Sequence, residues 1–116
     1  MNTVSLTGRL VRDPELVQLA GDKQVCRMRI AVDGMGRGDH AGFIDVSEFG
    51  EPGRASSEVL AKGWQVAVDG RLDFHEWTPD GSDVARSEIA VVGRVEFLAA
   101  PQTKDNAEPA SEAVAA

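Results

Sequence analysis

Residues 43–50 read F-I-D-V-S-E-F-G, and residues 59–78 read V-L-A-K-G-W-Q-V-A-V-D-G-R-L-D-F-H-E-W-T. With the two-residue period of a strand, the first segment puts Phe43, Asp45, Ser47 and Phe49 on one face and Ile44 and Val46 on the other. The second puts Val66, Val68, Leu72 and Phe74 on a core side, and Arg71, Asp73, His75 and Trp77 on the opposite side. Between them, Ala55 to Lys62 has helical spacing, with Ala55 and Val59 four residues apart and Gly63 as its stop. Two strands joined by a short helix, each with aromatics on its wet face, describe a surface for stacking flat groups. Nucleic-acid bases are the commonest such groups.

Working outward, Thr3 to Val11 alternates as a strand, with Val4, Leu6 and Leu10 inward and Ser5, Thr7 and Arg9 outward. Gly8 falls on the inward side, where it allows a bend or bulge. Arg12-Asp13-Pro14-Glu15 reads as a turn, because the residue before proline avoids the helical region. Leu16 to Leu19 is a brief strand candidate, closed by the Gly21-Asp22 turn. Gln24 to Val32 is the second full strand, with Met28, Ile30 and Val32 on one side and Arg27 and Arg29 on the other. Residues 33–42 form a glycine-rich loop. Its G-x-G-x-G does not read as a phosphate loop, since no helix follows to supply an N-terminus. Thr78-Pro79-Asp80-Gly81-Ser82 is a turn, and Val84 to Leu98 is the last strand, with Ile89 and Val91 on one side and a bend at Gly93. Five strands with one short helix between the third and fourth give the order β-β-β-α-β-β, an all-β Greek-key barrel of the OB-fold kind. Residues 1–98 are the expected folded domain, and 99–116 an alanine-rich, disordered tail.

Composition narrows the function. The chain has 116 residues, 42% of them hydrophobic, which fits one small domain with a core. A single cysteine, Cys26, excludes an internal disulfide framework and fits a reducing compartment. No apolar run approaches the roughly 20 residues of a membrane span, and the N-terminus has no signal-peptide pattern, so a cytoplasmic location is expected. The net charge of −7 opposes binding to phosphate backbones. Residues 101–116 carry Lys104 against Asp105, Glu108 and Glu112, so residues 1–100 keep a net charge of −5. Any nucleic-acid site is therefore a local patch on an acidic body. His40, His75 and Cys26 lack metal-ligand spacing, and no nucleophile–base or close carboxylate pair emerges. No metal, cofactor or catalysis is expected.

The residues resemble those of the bacterial single-stranded DNA-binding proteins over about residues 2–98. The matching pieces are V-S-L-T-G-R-L-V-R-D-P-E-L, V-C-R-M-R-I-A-V, F-I-D-V-S-E-F-G and, most specifically, the K-G-x-x-V-x-V-x-G-x-L core from Lys62 to Leu72. The resemblance implies a homotetramer, or failing that a dimer, that wraps single-stranded DNA by stacking bases on aromatics. By position it makes Phe43, Phe49 and Trp77 stacking residues, places Lys62 near the DNA path and turns Arg29 toward DNA, with Arg27 on the same face. Arg9, Arg71 and His75 complete the expected DNA-binding set.

Departures from the family pattern run the other way. The loop 33–42 lacks the tryptophan that members often carry, and Asp45, Glu51, Asp73 and Glu76 stand where polar or basic residues are expected. His75 replaces what is often an arginine. The sequence ends A-S-E-A-V-A-A, without the acidic, phenylalanine-tipped peptide that recruits replication and repair enzymes. Two readings follow: a sequence-independent coat on single-stranded DNA, and a paralogue that keeps the barrel as a protein-interaction module. For each exposed aromatic the alternative to stacking is a subunit interface. For Trp64, which has no family counterpart, packing is the preferred reading. For Arg27 and Arg29 the alternative to phosphate contact is pairing with nearby acids.

Overall fold

Alternation of apolar and polar residues dictates most of the architecture in the computed structural model, which describes residues 1–38 and 40–101. The strands are β1 (Val4–Leu10), β2 (Glu15–Gln18), β3 (Gln24–Val32), β4 (Gly42–Phe49), β5 (Gln65–Trp77) and β6 (Arg86–Ala99), with one helix, α1 (Gly50–Val59), between β4 and β5. Their order in the sheet is β1-β5-β6-β4-β3-β2, and β1 also pairs with β3 through Arg9↔Ala31 and Leu10↔Ile30. That second pairing closes β1, β5, β6, β4 and β3 into a ring, while β2 hangs on the outer edge of β3. The result is the expected OB-type barrel, with β2 as a sixth, accessory strand where the brief Leu16–Leu19 strand was anticipated.

The inward residues of the five ring strands meet in one core: Leu10, Cys26, Met28, Ile30, Val32, Val46, Val66, Val68 and Val91, closed by Leu60 just past the helix. Gly8 lets the ring close. A Cβ there would lie 2.5 Å from the Ala31 carbonyl oxygen, so only glycine permits β1 to swing from β5 onto β3. The bend or bulge expected at Gly8 is thus a close backbone approach within a continuous ladder.

Two expectations need correction. The helix runs from Gly50 to Val59, not from Ala55 to Lys62. Gly50-Glu51-Pro52-Gly53 reads as breaker sequence. Yet Pro52 falls in the first turn, where an amide has no helical acceptor to lose. Gly63, at φ +95°, is the residue of a following turn closed by Trp64 N–H to Ala61 C=O, rather than the helix stop. Secondly, Leu72 and Phe74 do not reach the core. The β5–β6 hairpin runs past the end of the barrel, so the inward side of its outer half has nothing beneath it, and Leu72, Phe74 and Ile89 are 45%, 62% and 55% exposed. Period two predicts the face correctly, but not where the barrel ends. Of the expected tail, 99–116, Ala99 is the last residue of β6, and residues 102–116 lie outside the described residues. Among the described residues no helix is long and apolar enough to cross a membrane.

Candidate nucleic-acid interface

The outward sides of β3, β4, β5 and β6 form one continuous face. Antiparallel register sets Arg27 beside Ser47, Arg29 beside Asp45 and Ala31 beside Phe43. The parallel contact between β4 and β6 joins Ser47 to Val92, and β6 in turn sets Ala90 beside Asp73, Glu88 beside His75 and Arg86 beside Trp77. Across this face runs a groove of about 510 Å³ lined by Arg27, Phe49, His75 and Trp77, with Asp73 and Glu88 among its polar walls. A second groove shares Arg27, Ser47, Glu88 and Ala90 with it and continues to Arg12, Glu15 and Asp45. His75 and Trp77, on the same side of β5, stack at 5.1 Å between ring centroids and 16° between planes, so each ring backs one face of the other.

Phe43 lies farther along β4, half-exposed, with the Arg29 guanidinium 5.5 Å from its ring centroid. Arg29 is held in turn by Asp45, Nη1 to Oδ1 at 2.9 Å. Arg71 is turned toward its strand neighbour Asp73 at 3.3 Å. A third hollow, between β1 and the β5–β6 hairpin, is lined by Ser5, Thr7, Asp69, Arg94 and Glu96 among others, and no aromatic ring borders it. Among the grooves of the described residues, those on the β3–β6 face are where rings and cations meet.

The comparison with known proteins decides the family. The model of the single-strand binding protein family matches residues 1–98. The chain belongs to that family.

Among relatives in this family, each named single-stranded DNA-binding protein, one from Treponema pallidum is 33% identical over 95 residues, covering 78% of the chain and 54% of the relative. One from Thermosynechococcus vestitus is 29% identical over 112 residues, covering 95% of the chain and 93% of the relative. One from Clostridium perfringens is 41% identical over 73 residues, covering 62% of the chain and 49% of the relative. The chain thus spans about half the length of the first and third, and nearly all of the second.

Two of the pieces that carry the resemblance meet in space. Asp13 of D-P-E accepts a hydrogen bond from the Lys62 backbone N–H at 2.8 Å, across 49 residues of sequence. Beside it Gly63 N–H donates to Leu10 C=O, and Leu10 N–H to Trp64 C=O, both at 2.9 Å. The K-G and D-P-E residues therefore clasp the N-terminal strand to the turn before β5.

Of the anticipated site residues, the fold gathers Arg27, Phe49, His75 and Trp77 in one groove and sets Phe43 and Arg29 along the same face. Arg71 lies on that face but is paired with Asp73. Arg9 and Lys62 lie apart, on the β1 side. Arg9 donates to Gly63 C=O at 3.3 Å and borders a separate hollow with Asp33 and Gln65. Register nonetheless sets Arg9 beside Ala31, and Ala31 beside Phe43, so Arg9 is two strands from that ring. Sequence reading missed Arg12 and Arg86. Arg12 sits in the turn after β1 and lines the second groove, and Arg86 opposes Trp77 across the hairpin. Arg86 was legible from the hairpin register; Arg12, within a turn, gave no periodic signal. Trp64 packs against the core and meets Phe97 edge-on at 6.1 Å and 70°.

Proposed function

We propose that the protein binds single-stranded DNA without sequence preference, protecting it in replication, recombination or repair, and that it does so as a homo-oligomer in the cytoplasm, on exposed strands of the nucleoid. The observation that carries this reading is the groove in which Phe49, His75 and Trp77 stand with Arg27. Stacking suits every base, and each stacked base contributes about 1–3 kcal/mol. Phe43, with Arg29 against it, extends the platform along β4. Arg27, Arg12 and Arg86 supply phosphate contacts. Arg9 and Lys62 serve a strand that continues around the barrel.

Two features support a homotetramer. On one side Val4–Gly8 of β1 pairs with β5, but its other edge carries no ladder among the described residues, and such an edge accepts a strand from a second copy. The apolar, exposed Leu72, Phe74 and Ile89 offer a further surface to cover. A site of this kind calls for no cofactor and no catalysis.

Titration of tryptophan fluorescence with oligo-thymidine at low and moderate salt tests the proposal. Quenching that saturates at a fixed nucleotide-to-protein ratio, and disappears in Trp77→Phe while Trp64 remains, is the expected result. A folded protein that shows neither quenching nor retention on single-stranded DNA turns the reading to the second one, a protein-interaction barrel. The acids on the face, Asp45, Asp73 and Glu88, favour that alternative.

A further inference from the structure

Two guanidinium groups on the proposed DNA face already have an anionic partner. Arg29 is bonded to Asp45 at 2.9 Å, and Arg71 to Asp73 at 3.3 Å. A carboxylate presents to a guanidinium the same pair of acceptor oxygens that a phosphate does. All four side chains are between a third and a little over half exposed, and exposed ion pairs of this kind add little to folding stability. Their effect falls on what approaches from solvent. A polyanion gains affinity from such a face because each unpaired cation neutralises a phosphate and frees the counterions condensed on the polyanion. With Asp45 and Asp73 fixed beside Arg29 and Arg71, neither arginine is free to neutralise a phosphate in this way, and an incoming phosphate meets a carboxylate at each site.

Resting on the nucleic-acid reading above, we propose that Asp45 and Asp73 are selectivity residues that act through Arg29 and Arg71. They hold down the charge-driven part of binding, so that the face accepts strands whose bases reach Phe43, Phe49 and Trp77 and rejects polyanions that offer phosphate alone. A duplex is the relevant competitor. Its bases are stacked on one another, and its outer surface presents phosphates and base edges, not ring faces.

The test is Asp45→Asn with Asp73→Asn in the full chain. Binding to labelled oligo-thymidine and to a duplex of equal length is measured by fluorescence anisotropy between 50 and 200 mM salt, conditions over which two added phosphate contacts change duplex affinity by about tenfold. The variant gains about tenfold on the duplex at the lower salt, with a log–log salt slope steeper by nearly 2, at about 0.9 per phosphate. Its gain on oligo-thymidine is no more than a few-fold, because stacking already fixes where that strand lies. Asp22→Asn with Glu96→Gln makes the same change of net charge on the turn before β3 and in the hollow between β1 and the β5–β6 hairpin, and leaves both affinities as in the wild type.

Equal gains on the two ligands, no gain on the duplex, or the same gain in the charge-matched control overturns the proposal. Each single variant carries about half of the slope change, so a double variant that fails to fold does not remove the test. A wild-type protein that does not bind oligo-thymidine at low salt overturns the DNA-binding reading itself. A wild-type protein that binds, with an unchanged variant, overturns only the role of the aspartates.

Discussion

At Trp77 the burial and the stacking partner together define a testable role. The indole is 37% exposed, lies against His75 and opens onto the groove. Trp77→Ala is expected to weaken oligo-thymidine binding by about 1–3 kcal/mol, the worth of one stacked base, with little change in melting temperature. Filter binding with parallel thermal denaturation checks both halves. Cys26 is the opposite kind of residue. It is fully buried, and burial first, with the Glu48 carboxylate second, pushes its thiol from 9.0 up to about 11. The folded protein therefore holds this proton where the unfolded chain has lost it, and stability falls as pH rises from about 9 to about 11. A thiol reagent at neutral pH is expected to leave Cys26 untouched until denaturant is added. Period two puts Trp77 on the outward side of β5, where the structure has it, since it needs only the neighbours along the strand. It left the pairing of Arg29 with an acid as an alternative without naming Asp45, and it did not anticipate the Arg71–Asp73 pair. The first depends on strand register; the second joins residues two apart whose side chains share a face and bend toward each other.

At the scale of elements, Glu48 joins three of them. Buried at the end of β4, it accepts hydrogen bonds from the Ser56 hydroxyl of α1 and from the Val95 N–H of β6, the latter at 3.0 Å. Glu48→Ala leaves that hydroxyl and amide unpaired, at about 1–3 kcal/mol for each orphaned group. The variant is expected to melt several degrees lower by calorimetry. Gly53 is pinned by the same junction, since a Cβ there would lie 2.0 Å from the Glu48 carbonyl oxygen. Gly53→Ala is therefore expected to destabilise the protein although alanine is the better helix former, and urea denaturation measures it. This junction also explains the shifted helix. Periodicity sees Ala55 and Val59, but the helix start is set by a contact between β4 and α1 that no local pattern announces.

For the whole molecule, the acidic balance and the self-paired arginines point the same way. Salt is expected to weaken binding with a shallow log–log slope, because Arg29 and Arg71 are already paired and the acids of the face oppose the phosphate contacts left to Arg12, Arg27 and Arg86. The slope is read from affinities at several salt concentrations. The exposed end of the β5–β6 hairpin bears on assembly: Phe74→Ser is expected to lower the oligomer mass seen by light scattering while leaving the fold intact. The barrel was legible because strand order and inward faces follow from alternation. The overhang of the hairpin was not, because a strand carries the same pattern whether or not another layer lies beneath it.

The clasp between Asp13 and Lys62 also has a meaning in time. The hairpins β2–β3, β3–β4 and β5–β6 join neighbours in sequence, whereas β1 pairs with β5 about 60 residues later, as in Val4 with Gly70. The first strand made is thus among the last to be placed. Its end can meet β3 early, through Arg9 with Ala31 and Leu10 with Ile30, but Val4–Gly8 have no partner until β5 is made, and the ring closes only when β6 joins β5 to β4. Refolding after dilution from denaturant should accordingly take milliseconds to seconds, the range of chains ruled by distant strand pairing. Asp13→Ala, which removes the acceptor that catches the Lys62 N–H, should shorten the life of the closed state more than it slows the first collapse.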